Sequence, residues 1–153
     1  MTSLDPKQLW VLRIRFAIAA LVLAPGLVWA DVMIARERWA PGGLAGGIAA
    51  LLILFLVWFM PRRRYRAWGY DLGEDELVVK HGLLVRKTTV VPFGRVQHID
   101  IAQGPIERIF GLTTLVLNTA GTRGSAVRLP GLVQGDAERM REHIRAKIRQ
   151  DLQ

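Results

Sequence analysis

The chain reads as a membrane α-helical hairpin followed by a mainly β domain of α+β arrangement, a bent antiparallel sheet closed by a C-terminal helix. Three patterns carry this reading. Two apolar runs of spanning length lie in the first sixty residues. After Arg66 the apolar positions recur every second residue, and at the C-terminus they recur every third or fourth.

Residues 16–35 read FAIAALVLAPGLVWADVMIA, with Asp31 as the single charge, and residues 40–60 read APGGLAGGIAALLILFLVWFM, with none. A helix needs about 20 apolar residues to cross a hydrocarbon core about 30 Å thick. Only Arg36-Glu37-Arg38-Trp39 separates the two runs, so the spans are expected at about 16–35 and 40–60 within an N-terminal segment 1–66. Pro25-Gly26 is tolerable in a membrane helix and should kink it. A signal peptide cleaved before Asp31 is an alternative reading of the first run. The apolar stretch continuing past that point and pairing with a second span argues against it.

Lys7, Arg13 and Arg15 precede the first span and Arg62, Arg63, Arg64 and Arg66 follow the second, against two arginines between them. The positive-inside rule therefore puts both termini in the cytoplasm. Trp10, Trp58 and Trp68 fall near one interface and Trp29 and Trp39 near the other, as interfacial aromatics do. Beyond topology, the arginine cluster could touch anionic lipid head groups, worth about 1 kcal/mol per basic side chain. Gly42, Gly43, Gly46 and Gly47 place small residues four apart, which suits helix packing in lipid; an interfacial turn explains the first of them equally.

Strands follow in order. Trp68–Leu72 has one apolar face, Gly73-Glu74-Asp75 turns, and Glu76–His81 is a second strand. After Gly82, Leu83–Pro92 reads as a long third, and Arg95–Gln103 as a fourth beyond Phe93-Gly94. Gly104-Pro105 opens a short helical turn, with proline suited to its first position. Thr113–Thr119 and Ser125–Pro130 complete the sheet. Asp136 is placed to cap a last helix whose Ala137, Met140, Ile144, Ile148 and Leu152 form one face and whose Arg139, Arg141, Arg145 and Arg149 form the other. Residues 67–153 thus make one domain with a modest core.

Composition limits the chemistry. The absence of cysteine excludes disulfides, iron–sulfur centres and thiolate catalysis. Residues 1–66 hold nine Lys/Arg against three acids, and residues 67–153 twelve against ten. The formal charge of +8 belongs mostly to the apolar half, which argues against a nucleic-acid partner. His81, His98 and His143 have no metal-ligand spacing, and Ser3 and Ser125 sit in no nucleophile motif. His98 and Asp100 share a strand face, which a solvated outer strand explains as well as a proton-transfer pair does. No P-loop or dinucleotide-binding unit is present. Catalytic residues, cofactor and metal are all expected to be none, and no small-molecule substrate is expected.

Trp68, Tyr70 and Leu72, the segment Glu76–Pro92, the ordered series Pro92, Arg95, Gln97, Arg108, Phe110 and Gly111, the LVLNTAG segment from Leu115 and the LPGL ending from Leu129 resemble the bacterial PH-like domain family. The order of a two-helix hairpin followed by this domain is similar to small membrane proteins in which the domain is common. The resemblance implies a seven-stranded bent sandwich or barrel plugged by the C-terminal helix, and no catalytic residues. It implies a membrane scaffold working with a larger membrane partner that carries several such domains, or with copies of itself. Eukaryotic PH domains that grip phosphoinositides use bases in the loop joining the first two strands; here that loop, Gly73–Glu76, is acidic and would repel a phosphate. The expected function is protein–protein interaction or self-assembly at the membrane, with Phe93, Arg95, Gln97 and Arg108 as the partner surface. The alternatives are sensing of anionic lipid and service as an accessory subunit of a transporter or export system.

Overall fold

The computed structural model describes residues 2–36, 43–119 and 126–151, and the chain divides into two compact units. One is the stretch Leu12–Arg63; the other joins Met1–Val11 to Arg64–Gln153.

The first unit holds most of two long helices, α1 (Lys7–Arg36) and α2 (Leu44–Arg66). Both are long and apolar enough to cross a membrane. None of the most apolar stretch of α1 is buried by protein, and only 6% of that of α2. Leu21, Val22, Leu51 and Leu54 are each more than 60% exposed, which an aqueous core helix would not tolerate. The helix α1 runs unbroken through Pro25, and α2 continues through Pro61 to Arg66. The arginine cluster is therefore the last turn and a half of a helix rather than a connecting segment.

Asp31 explains how the second helix starts. Gly43, at φ +90°, precedes the first residue of α2 and has no side chain with which to cap it. The Gly43 and Gly46 N–H groups donate instead to the two carboxylate oxygens of Asp31 in α1, each at 3.0 Å. A helix N-terminus leaves such donors unpaired and favours negative charge. The approach at Gly46 is close: a Cβ there would lie 3.3 Å from Asp31 Oδ2. A Cβ at Gly43 or Gly47 would meet nothing within 4 Å, and Gly42 lies outside the described residues. Of the expected packing glycines that are described, Gly43 and Gly46 receive the Asp31 carboxylate of α1 through their N–H groups.

The second unit contains two three-stranded antiparallel sheets. The first is β1 (Gly69–Leu72), β2 (Glu76–His81) and β3 (Lys87–Pro92); the second is β4 (Val96–Ala102), β5 (Leu112–Thr119) and β6 (Ala126–Val133). A 3-10 turn, Phe93–Arg95, joins the sheets, and a short helix α3 (Pro105–Ile109) joins β4 to β5. The terminal helix α4 runs Gln134–Asp151. Alternation puts Leu77 and Val79, and Leu115 and Leu117, on the inner faces. Ala137, Met140 and Ile144 of α4 close the core at helical spacing.

Several boundaries differ from the sequence expectation. The third strand starts at Lys87 rather than Leu83, because Gly82 takes φ +127° and a Cβ there would lie 1.9 Å from the Val85 carbonyl oxygen. Leu83–Val85 form a loop. The described residues accordingly hold six strands, one fewer than the family resemblance implies. Helix α4 begins two residues before Asp136, so that carboxylate lies in its first turn and pairs with Arg139 instead of capping it.

The N-terminal residues are the larger surprise. Instead of forming a tail, they belong to the β unit. Thr2 bridges β1 at Tyr70, and Asp5 N–H donates to the Gly131 carbonyl of β6 at 3.1 Å. Leu4, Gln8 and Val11 are buried, and Tyr65 donates its hydroxyl to the Leu4 carbonyl at 2.7 Å. Gly131 makes room for this: its φ is +73°, it sits in a bulge opposite Thr114, and a Cβ would lie 2.9 Å from Gln8 Cγ.

Candidate functional site

Among the described residues the strand β4 is an outer strand, laddered to β5 on one side only. Its pairing slips between Val96, opposite Thr119, and His98, opposite Asn118, which leaves Gln97 as the extra residue of a bulge. A bulge turns its side chain and interrupts the ladder locally. Arg141, Arg145 and Arg149 of α4 recur every four residues and so share one helix face. Together with Val96, Gln97, His98, Ile99 and Ile148 they line a groove of about 560 Å³. Ile99 and Ile148 pack against the core and make its apolar floor. Among the described residues no carboxylate lines it. Arg141 Nε is buried and has no hydrogen-bond partner among the described residues, an arrangement that favours an incoming acceptor.

The expected partner residues are dispersed. Phe93 is a correction: at 1% exposure it is core, with its ring edge-on to His143 at 6.2 Å, because the turn between the sheets points it inward. Arg95 lines a different cleft, between β3 and the start of β6. Arg108 is exposed on α3, and only Gln97 reaches the α4 groove. The three groove arginines had a visible signal, their four-residue spacing, but nothing in a helix pattern says which strand it will lie beside.

The arginine cluster is exposed throughout: Arg62, Arg63, Arg64 and Arg66. Arg62 lies 4.8 Å from the centre of the Trp58 ring, Arg13 of α1 lies 4.6 Å from the same ring, and Arg63 lies 4.9 Å from that of Phe59. Each such contact is worth about 0.5–2 kcal/mol, so part of the cluster braces the aromatic end of the hairpin.

Several other polar groups make contacts within the fold. Asp100 accepts from Asn118 Nδ2 at 2.9 Å across the β4–β5 ladder, so this carboxylate has a partner other than His98. His81 stacks on Trp68 at 4.9 Å. Buried Glu107 accepts from the Gly104 N–H at 2.8 Å and from the Thr114 hydroxyl, securing α3. The Tyr70 hydroxyl is held above its ordinary pKa, first by burial and then by the negative charge of Asp136. Among the described residues no three His, Asp or Glu side chains are grouped to hold a metal ion.

A family model described as Bacterial PH domain matches residues 9–148. The UPF0699 transmembrane protein YdbS of Bacillus subtilis (strain 168) is 29% identical over 144 residues, covering 93% of this chain and 89% of that protein. The UPF0699 transmembrane protein YdbT of the same organism is 30% identical over 101 residues, 64% of this chain, and the chain spans only 20% of its length. No solved structure matches the chain significantly. With two apolar helices of spanning length, a pair of three-stranded sheets, a closing helix and a family match running through nearly all of them, the chain belongs to the Bacterial PH domain family and is a membrane protein.

Proposed function

We propose that this membrane-associated PH-domain protein is a non-enzymatic docking module, anchored by its hairpin with both termini and the β domain on the cytoplasmic side. In this reading the groove between β4 and α4 receives an extended acidic segment of a partner protein. The observation that carries it is the meeting of an unpaired, bulged strand edge with three arginines and no acid. Backbone pairing along a free edge supplies affinity, and side-chain pockets beside it supply selection. Opposite charge in the incoming segment speeds encounter and would satisfy Arg141 Nε. Orientation rests on the contrast of seven bases flanking the spans with two between them.

A photo-cross-linking residue at Gln97 or Arg145 of the full chain, in native membranes, tests this. The expected adduct maps to an acidic stretch of a partner protein and is lost in Arg141→Glu/Arg145→Glu. The same probe at Glu74, in the turn between β1 and β2, should not form it. Adducts that map to neutral or basic segments, or survive the charge reversal, would overturn the proposal, as would no adduct at either groove position.

A further inference from the structure

The loop that carries the chain from β2 into β3 puts apolar side chains where only water meets them. Leu84 is 98% exposed and Val85 80%, with Leu83 beside them. Gly82 shapes this loop, since its left-handed backbone brings the Val85 carbonyl to where any Cβ would stand. An exposed apolar tip of this kind marks a contact surface. Its base carries Lys87, which faces His81 across the β2–β3 ladder, and both line a cleft of about 310 Å³. That cleft continues to Arg95 and crosses to Arg128 of β6. Among the described residues no acid lines it. Among the described residues, no ion pair involves Lys87, Arg95 or Arg128. The tip and Lys87 stand at the opposite end of β2 from the acidic turn Gly73–Asp75, and Arg95 lies at the far end of β3.

We propose that this apolar tip and cationic cleft together bind an anionic phospholipid of the bilayer surface. The head-group phosphate sits beside Lys87 at the base of the tip, with Arg95 and Arg128 farther along the same cleft, and Leu83, Leu84 and Val85 enter the acyl boundary. Neither half accounts for the other with a different occupant. A soluble phosphate would use the cleft and leave the leucines in water, whereas an apolar protein surface would leave three cations uncompensated. A single amphiphile with a negative head satisfies both. The site is distinct from the α4 groove and shares no lining residue with it. The hairpin keeps the domain at high effective concentration near the bilayer, so a weak contact suffices to set which way the domain faces.

The chain has no cysteine, so a single reporter is clean. The full-length protein carrying Leu84→Cys, labelled with an environment-sensitive fluorophore, is placed in nanodiscs of phosphatidylcholine alone or with phosphatidylglycerol. Expected is a blue-shifted emission, quenched by spin-labelled acyl chains, in the anionic discs only. Lys87→Glu/Arg95→Glu should lower the inserted-to-free ratio by about tenfold or more. Leu84→Ser, followed through a label at Val85→Cys, should lower it by about tenfold. Inorganic phosphate added to neutral discs should leave the label in water, and Arg141→Glu/Arg145→Glu should change nothing. A label that stays aqueous in both discs overturns the proposal. Equal insertion in neutral discs or in the charge variant overturns the head-group role. Shielding without acyl-chain quenching means that protein covers the tip instead, and also overturns it.

Discussion

Replacing Gly131 with alanine should be among the most damaging single-methyl changes in the β unit. The position has φ +73°, and a non-glycine residue in that conformation costs about 1–2 kcal/mol. The added Cβ also lands 2.9 Å from Gln8 Cγ and 3.0 Å from Gln8 Cβ. Gln8 is only 2% exposed, so it has little room to retreat, and forcing such overlap in a packed region costs about 1–3 kcal/mol. The sum is about 3 kcal/mol, which in a domain of this size lowers Tm by about 10–20 °C. The assay is thermal unfolding of the full-length protein in mild detergent, followed by circular dichroism. Repeating the substitution in a Gln8→Gly background separates the causes. There the overlap is gone and only the backbone term remains, so the penalty of Gly131→Ala should fall by at least about 1 kcal/mol. A variant melting within about 2 °C of the parent, against the expected drop, would refute the account. So would the same penalty in both backgrounds, because the N-terminal segment would then not be docked at this bulge.

Other consequences follow from single contacts. Asp31→Ala removes the acceptor for two helix-start N–H groups and should destabilise the hairpin by about 1–3 kcal/mol, with Asp31→Asn retaining part of that; denaturation in mixed detergent micelles reads it, and equal stability of the Ala variant would rule out the cap. Gln8 Oε1 is buried with no hydrogen-bond partner among the described residues, so Gln8→Met should leave the melting temperature unchanged or raise it, and a loss above about 1 kcal/mol would mean the oxygen is paired. Because the Tyr70 hydroxyl is shifted above 10.0 by burial and by Asp136, its stabilising contribution is complete below pH 10 and is lost as pH rises through the shifted value. Melting of the parent should therefore fall more steeply than that of Tyr70→Phe above pH 10, and parallel curves would contradict the burial.

Local patterns were legible without a structure because they belong to one element at a time. A run of twenty apolar residues, an alternation such as Leu77 and Val79, or the spacing of Ala137, Met140 and Ile144 depends only on the residues that make the element. The hairpin, the order of the strands and the closing helix therefore followed from periodicity, and the resemblance carried by about residues 65–148 supplied the fold. The acidic character of the first β turn and the basic face of the last helix were equally visible.

Tertiary structure alone decided which distant segments meet. Leu4, Gln8 and Val11 precede the membrane run and show no strand or core signal of their own; Leu4 is buried in the core of the β unit, and Gln8 lies against Gly131, where a Cβ would collide with it. Asp31 looks like a stray charge in an apolar span until Gly43, which cannot cap its own helix, is brought opposite it. Phe93 shifts from surface to core through the direction of one turn, and Gln97 becomes a groove residue through one bulge. Arg141, Arg145 and Arg149 acquire a strand edge to act beside, and Lys87 acquires Arg128, only when the sheets close. Periodicity is a property of a segment's own face, whereas juxtaposition depends on how the whole chain closes, and the sites proposed for this protein are juxtapositions.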